Sequence, residues 1–224
     1  MFQLFSIEHF SYLLIYFLSF SFIFLLIFST ENKKFFYFFI FFIIELQISE
    51  FFYRWYFLNE NIRTLLPLQF CNIALLISCL AIFTRSKLLF TISYLWNFGA
   101  FFSLLMPEVR LLFPNLLHLS FFSTHFFLIL TSCYGLFILD IRPTFSTVIT
   151  SFILINLIGF GIFFLNSKLN TNYMYINYSP SLNSPLKFFG NWRHFILIVD
   201  GILLILSFIF YKIFRLNIRI KLYR

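Results

Sequence analysis

The sequence predicts an all-α polytopic membrane protein, a bundle of about seven transmembrane helices, and three observations lead there. Hydrophobic residues make up 61% of the 224-residue chain and charged residues only 11%, too few polar side chains to cover a globular surface. The mean hydropathy is +0.93. Apolar windows of about 20 residues recur between short polar breaks, the length that a helix needs to cross the hydrocarbon core.

In chain order the expected spans cover residues 10–28, 35–57, 66–83, 88–105, 117–138, 145–165 and 195–214. The first is preceded by Glu8 and His9 rather than a basic region, and no small-residue cleavage site follows it. It therefore reads as a helix and not as a signal peptide. The 40 phenylalanines are spread through every segment without a repeat and read as apolar filler. Residues 1–224 form a single integral membrane domain with one long polar connection. That loop, Asn166 to His194, is rich in Asn, Ser and Pro, lacks apolar periodicity, and is a candidate lid; its Asn172, Tyr173 and Tyr175 suit interfacial anchoring first and substrate contact second.

A net charge of +8 would suggest a nucleic-acid partner in a soluble protein, but the excess sits in loops and in the tail KIFRLNIRIKLYR. That pattern belongs to membrane topology, and no nucleic acid is expected. Of the 16 Lys and Arg, ten fall on one side of the predicted spans and five on the other, with Arg54 inside a span. The positive-inside rule then puts the N-terminus outside and the C-terminus in the cytoplasm of a multi-pass cell-membrane protein. Cys71 and Cys79 lie about 12 Å apart along one predicted helix, too far to form a disulfide.

Polar residues inside the spans carry the functional signal. Measured from the outer end of each span at 1.5 Å per residue, Cys71 and Asp200 lie about 8 Å deep, Glu50 about 10, Asn97 and His125 about 12, and Asn156 about 14. Ionisable groups at such depths are costly and normally face a bundle interior or a wet cavity. One polar cavity open toward the outer leaflet is expected. Glu50 and Arg54 are four apart and share a helix face, as a structural ion pair or as substrate ligands. The asparagines Asn72, Asn97 and Asn156 suit interhelical hydrogen bonding as well as ligand contact. Glu45 lies deeper, near the midplane, without an assigned partner.

His118 and His125 share a face but are about 10.5 Å apart along the axis, too far to hold one ion. With no HExxH, GxSxG or glycine-rich phosphate motif, no metal and no cofactor are expected. Cys71 follows Pro67 in the first two turns of its helix, where the dipole favours a thiolate, and His125 stands at a compatible depth on another span as a general base. Cysteine with histidine is an acyl-transfer pair.

The string LPLQFCNIALLISCLAIFTRSKLLFTISYLWNFGAFFSLLMPE, with FSIEHF before it and FFSTHFFLIL, LDIRP, TNYMYI and FFGNW after it, resembles the YwaF family of bacterial integral membrane proteins. The resemblance covers nearly the whole chain and implies a seven-span fold. That family is similar to an animal group of transmembrane acyltransferases acting on ether lysophospholipids, in which a cysteine and a histidine are implicated. The resemblance puts those roles on Cys71 in LPLQFCNI and His125 in FFSTHFF. Gln69 stands where many bacterial relatives carry histidine.

The expected function is therefore a membrane acyltransferase, with Cys71 and His125 catalytic and Asn72, Glu50, Arg54, Asn97 and Asp200 contacting substrate. Its partners are membrane lipids, with a lipid or lipoprotein as substrate. Two alternatives remain open. One is a solute-binding or transport protein in which Glu50, Arg54 and Asp200 read charge; the other is a scaffold whose polar residues only join helices.

Overall fold

A computed structural model describes residues 3–30, 33–107, 112–178 and 192–215. The basic tail beyond Arg215, the 179–191 part of the long loop and most of FFGNW lie outside them. The chain is helical throughout, with no strand among the described residues. Helix α1 runs Ile7–Thr30, α2 Lys33–Phe52, α3 Ile62–Leu65, α4 Phe70–Thr84, α5 Lys87–Leu105, α6 Leu116–Cys133, α7 Phe145–Leu169 and α8 Trp192–Arg215. Six of these, counting the turns that extend α2 and α6, are long and apolar enough to cross a membrane.

The third expected span, 66–83, is shorter than the sequence suggests. Leu66 and Gln69 are extended, with ψ of 144° and 149°, because Pro67 bars its predecessor from the helical region. Helix α4 therefore has only 15 residues, about 22 Å against a hydrocarbon core of about 30 Å. One-turn α3 and the non-helical Leu66–Gln69 stretch precede α4. Hydropathy does not reveal this break, because Leu66, Pro67 and Leu68 are themselves apolar.

Helices α2 and α6 end alike. Each widens into a π turn, Tyr53–Phe57 and Tyr134–Ile138. The Leu58 and Leu139 amides then bond back to the Tyr53 and Tyr134 carbonyls. A left-handed residue follows in each case, Asn59 (φ 51°) or Asp140 (φ 50°), a conformation that Asn and Asp tolerate best after Gly.

Helix α6 is the hub, packed by α1, α2, α4 and α5; α5 also packs on α7, and α8 lies along α7. The core is aromatic and aliphatic, with Phe36, Ile40, Trp96, Phe122, Phe127 and Leu128 fully buried. Phe22, Phe38, Phe41 and Phe160 are exposed on the outside of the bundle, where lipid tails solvate an aromatic ring at little cost. The ring of α8's Phe210 reaches α5, 4.6 Å from Phe98.

The described part of the long loop is folded rather than irregular. After left-handed Asn170 it makes a turn over Tyr173–Tyr175 and folds back along α7, so that Ile176 faces Gly159 and the Asn177 amide reaches the Phe163 carbonyl. Non-helical backbone at such depth must have its polar groups satisfied by protein. Asparagine side chains do this: Asn166 accepts from the Tyr173 amide at 2.8 Å and donates to the Tyr173 carbonyl at 3.1 Å. Asn172 accepts from the Asn177 amide and donates to the Tyr178 carbonyl. These bonds offset left-handed strain at Asn170, Met174 and Tyr175, where φ is 53°, 56° and 51°, a cost of roughly 1–2 kcal/mol each.

Candidate functional site

The first turn of α4 presents Cys71. The Gln69 carbonyl accepts from the amides of Asn72 and Ile73, so Gln69 is the N-cap and Cys71 lies in the first turn, at the positive end of the helix dipole. Across the bundle, in the third turn of α6, His125 is buried with only 4% of its surface exposed. Its Nε2 lies 3.1 Å from Cys71 Sγ, and its Nδ1 lies 2.7 Å from the Phe121 carbonyl oxygen. A carbonyl only accepts, so Nδ1 carries the ring proton and Nε2 turns its lone pair to the thiol. The Phe121 ring, 4.1 Å from the imidazole, braces it.

Ser103 of α5 completes the setting, its Oγ 4.0 Å from Cys71 Sγ and donating to the Gly99 carbonyl at 3.1 Å. Gly99 is needed there: a Cβ at that position would stand 3.1 Å from the Phe70 ring, so the glycine lets α5 approach the helix turn that bears Cys71. Ser103 was not anticipated, because a serine in an apolar span carries no signal until its neighbour is known.

The other expected site residues separate into four places. Asn72 follows Cys71 on the same turn, and among the described residues no hydrogen bond engages its side chain. Asn97 is deeper: its amide donates to the Leu128 carbonyl and the hydroxyls of Ser78 and Ser132, tying α4, α5 and α6 together. Asn97 thus stands beside Ser78, about 10 Å below Cys71 along α4. The polar groups occupy at least two levels rather than the single layer expected from span ends, because the helices do not start at a common height.

Glu50 and Arg54 do meet, at 3.4 Å, but Glu60 is the stronger partner of Arg54. It accepts from Nε at 3.1 Å and from Nη2 at 2.7 Å, a two-pronged contact. The turn through left-handed Asn59 swings Glu60 back onto the helix end, which a spacing rule confined to helices does not see. Asn156 and Asp200 meet each other at 3.2 Å between α7 and α8, and no described contact joins them to Cys71 or His125.

Three further polar groups shape the bundle. Gln47, one turn before Glu50, donates to Ser120 and Thr124 of α6 at 2.8 and 2.9 Å, fixing the helix next to His125. His9 is buried and bridges α1 to α5, accepting from the Phe5 amide and donating to the Leu104 carbonyl at 3.0 Å. His118, fully buried, stacks on Phe122 at 4.5 Å and meets Tyr12 edge-on. Glu45 is exposed on the face of α2 that carries Phe38, Phe41 and Phe42. Among the described residues no three His, Cys, Asp or Glu side chains are grouped to hold a metal ion. The larger of two described grooves, about 460 Å³, is apolar and runs along the α2 π turn to Leu116.

The loop reaches the same end of α4. Tyr173 is buried, accepts from the Leu66 amide at 2.8 Å and donates to the Arg63 carbonyl at 2.7 Å. The Gln69 amide oxygen accepts from the Met174 amide at 2.9 Å.

No curated protein and no solved structure matches the chain. A family model does match, over residues 4–211, and takes in every helix from α1 to most of α8 together with Cys71, His125 and the loop after α7. The chain is a multi-pass membrane protein that belongs to the TMEM164 family.

Proposed function

We propose that this protein is a cysteine-dependent acyltransferase of the cell membrane, with Cys71 as nucleophile and His125 as general base. The observation that carries the reading is the 3.1 Å contact of His125 Nε2 with Cys71 Sγ while Nδ1 is committed to the Phe121 carbonyl. The second contact fixes both the tautomer and the ring orientation that a general base requires.

In the first half-reaction Nε2 takes the thiol proton as Sγ attacks the donor's acyl carbon. The C–O bond breaks, the imidazolium returns the proton to the leaving alkoxide, and a thioester remains on Cys71. In the second half an acceptor hydroxyl gives its proton to Nε2 and attacks the thioester carbon; the C–S bond breaks and the thiolate recovers the proton. Asn72, on the turn that bears Cys71, is the side chain best able to donate to the oxyanion. Glu50 and Arg54 are assigned to orienting substrate, whereas Asn97 and Asp200, each engaged by a neighbouring helix, are assigned to joining helices. With the N-terminus outside, as the charge pattern predicts, the thiol faces the outer leaflet and the substrate is a lipid or lipoprotein ester.

The solute-binding alternative draws on the same Glu50 and Arg54 groups but gives the Cys71–His125 contact no role. The test is direct. Purified full-length protein incubated with a glycerophospholipid labelled in its acyl chain is expected to retain label as a hydroxylamine-sensitive thioester, and Cys71→Ser is expected to lose it. Full labelling of Cys71→Ser would overturn the nucleophile, and an unlabelled wild-type chain would favour solute binding or a scaffold.

A further inference from the structure

We propose that Gln69 and Tyr173 are positioning residues for Cys71, acting as a clasp by which the loop after α7 sets the first turn of α4 against His125. The proposal rests on the reading of Cys71 as a nucleophile assisted by His125. Its own basis is a set of contacts between segments more than a hundred residues apart in sequence.

Leu66 and Gln69 are non-helical and the stretch between them holds a single local bond, from the Leu68 amide to the Leu66 carbonyl, so contacts from outside it help to define where α4 begins. Tyr173 provides one fixed point, its hydroxyl bonded to both the Arg63 carbonyl and the Leu66 amide. Gln69 provides the second through the Met174 amide. These two points flank Pro67 and end two residues before Cys71. The loop side of the clasp is itself anchored, because Asn166 holds the amide and the carbonyl of Tyr173 from the last turn of α7. A rigid path therefore runs from α7 through Asn166, Tyr173 and Gln69 to Cys71. His125 is set independently by α6, through Phe121. The sulfur-to-nitrogen distance depends on the two settings agreeing, and a misplacement of about 1 Å is enough to cost on the order of a hundredfold in rate.

The clasp also gives Gln69 a role in backbone recognition, and it recasts the loop as a support for the thiol rather than a moving cover.

The test uses the full chain with Cys79→Ala and Cys133→Ala, so that Cys71 is the single cysteine. The rate of iodoacetamide alkylation at pH 7 reports assistance by His125, and His125→Ala sets the rate of an unassisted thiol. Tyr173→Phe removes one oxygen, and Gln69→Met removes the acceptor while keeping the length. Both are expected to fall to the His125→Ala rate, roughly tenfold below the parent. Gln69→Glu, which restores an acceptor oxygen, is expected to recover the parent rate. A residue that merely stabilised the loop would move the rate the other way, since loosening exposes the thiol. An unchanged or increased rate in Tyr173→Phe therefore overturns the proposal, and that variant decides alone should Gln69→Met not fold. Rates that fall as expected in a protein that never takes up acyl label would leave the clasp standing and remove the acyl-transfer reading.

Discussion

His125 Nε2 lies 3.1 Å from Cys71 Sγ, although 54 residues and the whole of α5 separate the two in sequence. Proton transfer over that distance needs no rearrangement, so His125→Asn is expected to keep the fold while lowering thioester formation by about 10²–10⁴, the range for a positioned general base. Single-turnover labelling alongside thermal unfolding checks this. A loss of labelling matched by a loss of folded protein would count against a chemical role.

Asn97 offers the contrasting case. Its three donor contacts to Ser78, Leu128 and Ser132 hold three helices at one level, and interhelical hydrogen bonds in membranes average about 0.6 kcal/mol each. Asn97→Ala is expected to cost roughly 1–2 kcal/mol on that basis. A lowered unfolding temperature, with acyl labelling per folded molecule unchanged, is the expected result. A specific loss of labelling would return Asn97 to the substrate site.

What the sequence disclosed and what it hid follow the physics of each signal. The spans were legible because bilayer thickness imposes a length, and the expected limits fall within about four residues of the helix ends. The Cys71–His125 pair was legible through the resemblance of LPLQFCNI and FFSTHFF, with compatible depths as weak support. The start of α4 was not, since apolar Leu66, Pro67 and Leu68 look like helix to a hydropathy window. The depth of Asn97 was misread by measuring from span ends, as if all helices began in one plane. The loop looked irregular because its order comes from asparagine side chains bonding backbone groups, which leaves no periodicity. Glu60 was missed because its approach to Arg54 depends on one left-handed residue, Asn59.

The Arg54 contacts predict an order of effects. The guanidinium makes three contacts to Glu60 and one longer contact to Glu50, and all three side chains are partly exposed. Such pairs contribute up to about 1 kcal/mol each. Arg54→Ala, which leaves two carboxylates together, is expected to lower the unfolding temperature most, Glu60→Ala less, and Glu50→Ala least. Chemical denaturation of the three variants in one detergent checks the order. A Glu50→Ala effect exceeding that of Glu60→Ala would show that the pair within the helix dominates.

Two glycines separate packing from positioning. A Cβ at Gly135, in the π turn after α6, would stand 2.9 Å from the ring of buried Phe90. That ring is packed against Tyr134 as well, so Gly135→Ala is expected to cost roughly 1–3 kcal/mol by overpacking. At Gly99 the contact is 3.1 Å to Phe70, whose ring is only half-buried and can shift. Gly99→Ala is therefore expected to unfold nearly as late as the parent. The shift is not free of consequence, because Phe70 precedes Cys71 on the same turn and Ser103 bonds the Gly99 carbonyl. A displaced Phe70 ring disturbs the turn that holds Cys71 against His125, so Gly99→Ala is expected to slow Cys71 alkylation several-fold while Gly135→Ala leaves the rate per folded molecule unchanged. Equal rates in the two variants would mean that the close approach of α4 and α5 serves packing alone.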